Sequence, residues 1–138
     1  MSKTFILDAC ALIAFLADET GSDKIEEIIQ NAIDEKILLK INQINLLEVY
    51  YFIFNLYGKN EANRVLEKII EFPIEIKSGL NEDGFKEAGR IKAKYKIPLG
   101  DSIAVAECIV ENGILVTSDH NDFEKVVDAE KIKISWFR

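Results

Sequence analysis

Four acids, Asp8, Glu48, Asp101 and Asp119, occupy places where a carboxylate could serve chemistry as well as folding. Asp8 follows Phe5-Ile6-Leu7 and precedes Ala9-Cys10-Ala11-Leu12-Ile13. A carboxylate in such apolar company requires a cation, a helix cap or several donors, because burying it unpaired is costly. Glu48 lies in a segment from Asn42 to Tyr57 that is apolar on nearly every side. An apolar stripe through Ile44, Leu47, Tyr51 and Phe54 sets its carboxylate at the edge of the buried face, although a wet outer edge would serve equally. Asp101 stands at the start of a helix, where capping or the helix dipole also explains an acid. Asp119 ends the run Ile114-Leu115-Val116-Thr117-Ser118-Asp119. There Asn121 and Glu124 read as the capping box of the next helix, which frees Asp119. Asp122 fits a first-turn acid and ranks below Asp119 as a ligand.

Brought together, such carboxylates repel one another, and a divalent cation relieves the repulsion. Oxygen-only ligands favour Mg2+ or Mn2+ over zinc. The single histidine, His120, leaves little room for histidine catalysis or a zinc site. A cation so held can polarise a phosphoryl oxygen and activate water, so metal-dependent phosphodiester hydrolysis is the natural reaction. Phosphoryl transfer through an aspartyl phosphate on Asp8 is the rival chemistry. Against it, Cys10 stands where a second aspartate is wanted, and no lysine is placed as its helper.

The elements that must deliver these acids alternate. Strands are expected at Thr4–Leu7, Ile37–Ile41, Ile74–Lys77, Ile114–Thr117 and Ile132–Ser135. Helices are expected at 9–17, 23–35 (capped by Ser22), 42–57, from 60 or 61 to 71, 81–96, 101–111 and from Asp122 onward. Strands alternating with helices point to an α/β sandwich around a mainly parallel sheet of about five strands. Ligands in such sheets bind beyond the carboxyl ends of the strands, which is where Asp8 and Asp119 fall.

The 138 residues suit one domain, 1–138, with a proper core. The longest uninterrupted apolar run, Ala9 to Ala17, is far too short to cross a bilayer, and Asp8 breaks any leader-like stretch. A cytosolic location is therefore expected, with Cys10 and Cys108 as reduced thiols. A net charge of −7 argues against a broad electrostatic nucleic-acid binder.

Four stretches carry a family resemblance: Phe5 to Ile13 around Asp8; Asn45-Leu46-Leu47-Glu48-Val49; Asp101-Ser102-Ile103-Ala104-Val105-Ala106; and Leu115 to Asp119 leading to Asp122-Phe123. In order and spacing they resemble the PIN-domain proteins, and most nearly the VapC-type toxins of toxin–antitoxin pairs. The resemblance implies a three-layer α/β/α sandwich and a Mg2+- or Mn2+-dependent endoribonuclease in which Asp8, Glu48, Asp101 and Asp119 hold metal and Thr117 supports them. It also implies a dimer and a cognate antitoxin. A PIN nuclease of RNA processing, or a PIN-like module that binds without cutting, are the alternatives. Cys10 departs from the Ser or Asn usual two residues after the first acid, and a thiol is the poorer hydrogen-bond partner. It reads either as weakened support for the site or as a small buried residue.

Lys86, Arg90 and Lys94 share one helix face, a candidate track for an RNA backbone or simply a solvated face. Tyr50, Tyr51, Phe52, Ile53, Phe54 and Tyr57 exceed what one helix can bury against a sheet. An interface with a second copy or an inhibitory helix is the first reading, core packing the second and base stacking the third.

Overall fold

The computed structural model describes residues 2–138. Its strands are β1 (Lys3–Leu7), β2 (Ile37–Asn42), β3 (Glu75–Lys77), β4 (Ile114–Thr117) and β5 (Lys133–Trp136). They form one five-stranded sheet in the order β3-β2-β1-β4-β5, and all four pairings are parallel. The helices are α1 (Ala9–Leu16), α2 (Ser22–Ile33), α3 (Gln43–Tyr57), α4 (Lys59–Ile70), α5 (Glu82–Lys94), α6 (Leu99–Glu111) and α7 (His120–Glu130).

Strand alternation builds the three layers. Leu7 and Val116 face a core shared with α1 to α4, whereas their neighbours Ile6 and Leu115 face a core shared with α5, α6 and α7. A sheet covered on both faces accounts for strands that read as near-continuous apolar runs. From β1 the chain winds outward through β2 and β3 on one side and through β4 and β5 on the other. The crevice beyond β1 and β4 is thus the switch point of the sheet, the usual place for a ligand in this architecture. Among the described residues, no helix is long and apolar enough to cross a membrane.

Several element boundaries differ from expectation, and three of them matter. Helix α6 opens at Leu99 with Pro98 before it, so Asp101 is its third residue rather than its cap. Helix α7 opens at His120 and is capped by Asp119, so the Asn121–Glu124 capping box does not form. A carboxylate ending a strand was already in the right place to bind the next free amides. Ser22 does not cap α2 either: Gly21, at φ 91°, takes that position, and the Ser22 hydroxyl donates to Asp18 instead.

Periodicity also misassigned the buried face of α3. In α3 the buried residues are Asn45, Leu46, Val49 and Ile53, while Leu47, Tyr51 and Phe54 are exposed. A helix apolar all round carries no unique moment, so tertiary packing chose the face. On α5, Ala88 and Ile91 are buried, whereas Phe85, at the same helical spacing, is exposed. The surplus of aromatics on α3 is real, since Tyr51, Phe52, Phe54 and Tyr57 all remain exposed.

Candidate metal centre

Asp8 follows β1 directly and its side chain is almost wholly buried. It answers both readings of its sequence. One carboxylate oxygen caps α1 by accepting from the Ala11 amide at 2.9 Å. The other accepts from the Thr117 hydroxyl across the β1–β4 boundary. That same hydroxyl accepts from the Asp119 amide at 3.1 Å, so one threonine links the first acid to the last. Burial pushes the Asp8 carboxyl up to about 6, against the bonds from Thr117, Ala11 and Cys10 that favour its charged form.

Asp101, Asp119 and Asp122 converge, each offering an oxygen within 4.8 Å of the others. Helix α6 carries the first inward, the end of β4 delivers the second, and the first turn of α7 supplies the third. Asp122 thus stands in the same cluster as Asp101 and Asp119. The capping bond from the Asp122 amide to Asp119, 3.2 Å, fixes the two relative to each other. Burial first, and then Asp122 and the charges of Asp8 and Asp119, push Asp101 up to about 8. Asp119 is raised for the same kinds of reason, desolvation leading and Asp122 next.

Glu48 is half-buried on α3, on the side turned toward α6. The Asn45 side-chain amide donates to its carboxylate at 3.0 Å and to the Gly100 carbonyl at 3.0 Å. Glu48 thereby lies against the residue that precedes Asp101. A Cβ on Gly100 would fall within 2.6 Å of the Glu48 carboxylate carbon, so glycine leaves the room that the acid occupies.

Asn45 and Gly100 escaped the sequence reading, though each left a trace. Asn45 is an amide one turn before Glu48 on an apolar helix, and Gly100 is a poor residue for a helix's first turn. Cys10 is not simply a small filler. Its sulfur lies 3.1 Å from both oxygens of Asp8 and 3.4 Å from the Thr117 hydroxyl. Burial, and then the charge of Asp8, push the thiol up to about 12, so it stays protonated and serves as a donor.

The donor set is all carboxylate, partly desolvated and mutually repulsive, which fits a hard divalent cation and no soft one. Without a cation, the arrangement holds protons that it would otherwise lose. Lys86, Arg90 and Lys94 lie along exposed α5, but each already has a carboxylate partner. Lys86 pairs with Glu82 at 3.1 Å, Arg90 with Glu87 at 2.8 Å and Glu130 at 2.6 Å, and Lys94 with Glu130 at 3.3 Å.

The family model described as PIN domain matches residues 5–129. Solved structures share the fold at low identity. The chain is similar to one from the DNA-bound VapBC of Salmonella typhimurium, with 18% identity over 100% of both chains and a TM-score of 0.76. VapBC2 from Rickettsia felis, bound to a DNA fragment from its promoter, gives 16% identity, 96% and 98% coverage and a TM-score of 0.75. VapBC-1 from nontypeable Haemophilus influenzae gives 16% identity, 97% and 98% coverage and a TM-score of 0.72. No curated protein matches the chain by sequence.

Proposed function

The chain belongs to the PIN domain family, and from that premise we propose that it is a divalent-metal-dependent endoribonuclease, the toxin of a toxin–antitoxin pair. The observation that carries this reading is the convergence of Asp101, Asp119 and Asp122 beside buried Asp8, at the point between β1 and β4 where the strand order reverses. The VapBC complexes among its structural neighbours favour a cognate antitoxin as partner. A homodimer and a cytoplasmic location complete the proposal, with residues 1–138 acting as one nuclease unit. The exposed aromatics of α3 offer apolar area for such contacts.

Asp8, Asp101, Asp119 and Asp122 would hold Mg2+ or Mn2+, with Glu48 beside them. When bound, the ion supplies Lewis-acid polarisation of the phosphate and offsets charge on the leaving oxygen. The chain's own residues set the geometry. Thr117 and Cys10 keep the Asp8 carboxylate aimed, the α7 cap locks Asp119 to Asp122, and Asn45 holds Glu48 to the first turn of α6. Without the ion, Asp101, raised to about 8, holds a proton near neutrality, and metal binding would displace it. Lys86, Arg90 and Lys94 remain a proposed RNA track, on which a phosphate strand must compete with Glu82, Glu87 and Glu130.

The test is cleavage of single-stranded RNA by purified protein in Mg2+ or Mn2+ and in chelator. Cutting that requires the metal and is lost in Asp101→Asn supports the reading. RNA binding without cutting would favour a non-catalytic PIN-like module instead.

A further inference from the structure

His120 begins α7 immediately after Asp119, and its imidazole stacks on the Trp136 indole with centroids 3.9 Å apart and planes 13° from parallel. Both ring nitrogens are already engaged. Nδ1 lies 2.9 Å from a Glu124 carboxylate oxygen and Nε2 lies 3.0 Å from the Arg138 carbonyl oxygen. Both partners are acceptors only, so each nitrogen faces a protein oxygen and neither is open to contact with a substrate. Yet the His120 side chain is 46% exposed. One ring face lies on the indole and the nitrogen edge is tied down, so a base could approach only from the opposite side of the ring. Trp136, half-buried, pairs in register with Thr117, the residue whose hydroxyl holds Asp8. A rigid aromatic pair therefore stands at the same sheet edge as the acid cluster.

We propose that the His120–Trp136 pair is a nucleobase platform, on which a base flanking the scissile phosphate stacks. The proposal rests on the ribonuclease reading of the adjacent acids, and it adds the contact that seats the strand. A contact of this kind is needed on electrostatic grounds. The chain carries a net charge of −7, and the three cations proposed to meet phosphate are paired with carboxylates. Phosphate attraction along that face of α5 is correspondingly weak, whereas stacking is indifferent to net charge and accepts any base. The double tether to Glu124 and Arg138 fixes the ring before the base arrives, so little rotamer entropy is lost on binding.

Trp136 is the only tryptophan, so its emission reports this site directly. The experiment titrates the full chain with short 2′-O-methyl RNA, which resists cleavage, and with the same oligonucleotides bearing single abasic positions. Stacking predicts altered Trp136 emission and, for one abasic position, affinity weaker by at least about fivefold. His120→Phe keeps a flat ring but no nitrogens, while His120→Gln keeps polar contacts but no ring. Retained base discrimination in His120→Phe and its loss in His120→Gln support the platform. The opposite pattern, or equal binding of all oligonucleotides by the unaltered chain, overturns it and leaves His120 as a structural tie. Base discrimination without metal-dependent cutting of ordinary RNA would retain the platform and refute the nuclease. Cutting without discrimination would do the reverse.

Discussion

Gly100 has no side chain, and the carboxylate of Glu48 fills the space that one would take. The contact joins α3 to the first turn of α6, one residue before Asp101. Gly100→Ala should therefore displace Glu48 while improving local helix propensity by about 1 kcal/mol. Cleavage is expected to fall by about a hundredfold, as a misplacement of roughly 1 Å can do, with little change in thermal midpoint. A lower midpoint with unimpaired kcat would remove Glu48 from the site.

Asparagine is the informative substitute at Asp8 and Asp119, because it caps a helix as well as aspartate does. Both variants should fold normally by circular dichroism and lose RNA cleavage by at least about a hundredfold. Asp8→Ala should lose about 1 kcal/mol of stability besides, from the missing cap of α1. Wild-type rates in Asp8→Asn would refute the assignment of metal ligands.

The raised carboxyls set the sign of a pH effect. Asp8 at about 6 and Asp101 at about 8 both lie above their usual value of 3.8 in the unfolded chain. The metal-free fold therefore binds more protons than the unfolded chain, and stability falls as pH rises from about 4 to about 8. Thermal melts of chelated protein should show this decline. Mn2+ should reverse it, with a larger gain at pH 8 than at pH 5 because the ion competes with protons. A chelated midpoint that rises through this range would contradict the clustering.

Cys10→Ser retains a donor toward Asp8 and offers a better hydrogen bond than the thiol. Its cleavage rate should equal or exceed that of the unaltered chain, whereas Cys10→Ala should be slower by roughly tenfold. With its thiol pushed up to about 12, Cys10 should also resist alkylation at neutral pH until the chain is unfolded. Rapid labelling of the folded protein would show that the thiol is not held as described.

Because Arg90 and Lys94 are already ion-paired, they should contribute little to the salt dependence of RNA affinity. Replacing both with alanine should change the log–log salt slope by less than about 1.4, the full contribution of two single-strand phosphates. A change that reaches about 1.4 would establish α5 as the principal phosphate track.

The fold class was legible because alternating apolar strands and helices leave few arrangements other than a covered parallel sheet. The same sequence left the outward face of α3 open. Leu47, Tyr51 and Phe54 looked as fit for the core as Leu46, Val49 and Ile53, and only packing against neighbouring elements separated them. Capping was misread at α7 for a related reason. Local pattern favoured Asn121, while the path of the chain out of β4 had already aimed Asp119 at the free amides.

What the sequence determined by itself was an inventory: acids in apolar company, a threonine near one of them, and a strand–helix order that sends Asp8 and Asp119 to one sheet edge. What only the tertiary structure decided was proximity. Asp122 joined the cluster through the first turn of α7, and Asn45 and Gly100 proved to hold Glu48 across two helices. Such contacts bridge residues as far apart as Asp8 and Thr117, so no local period or propensity encodes them. They exist because the sheet pairs β1 with β4, and because packed helices leave each side chain very little choice of neighbour.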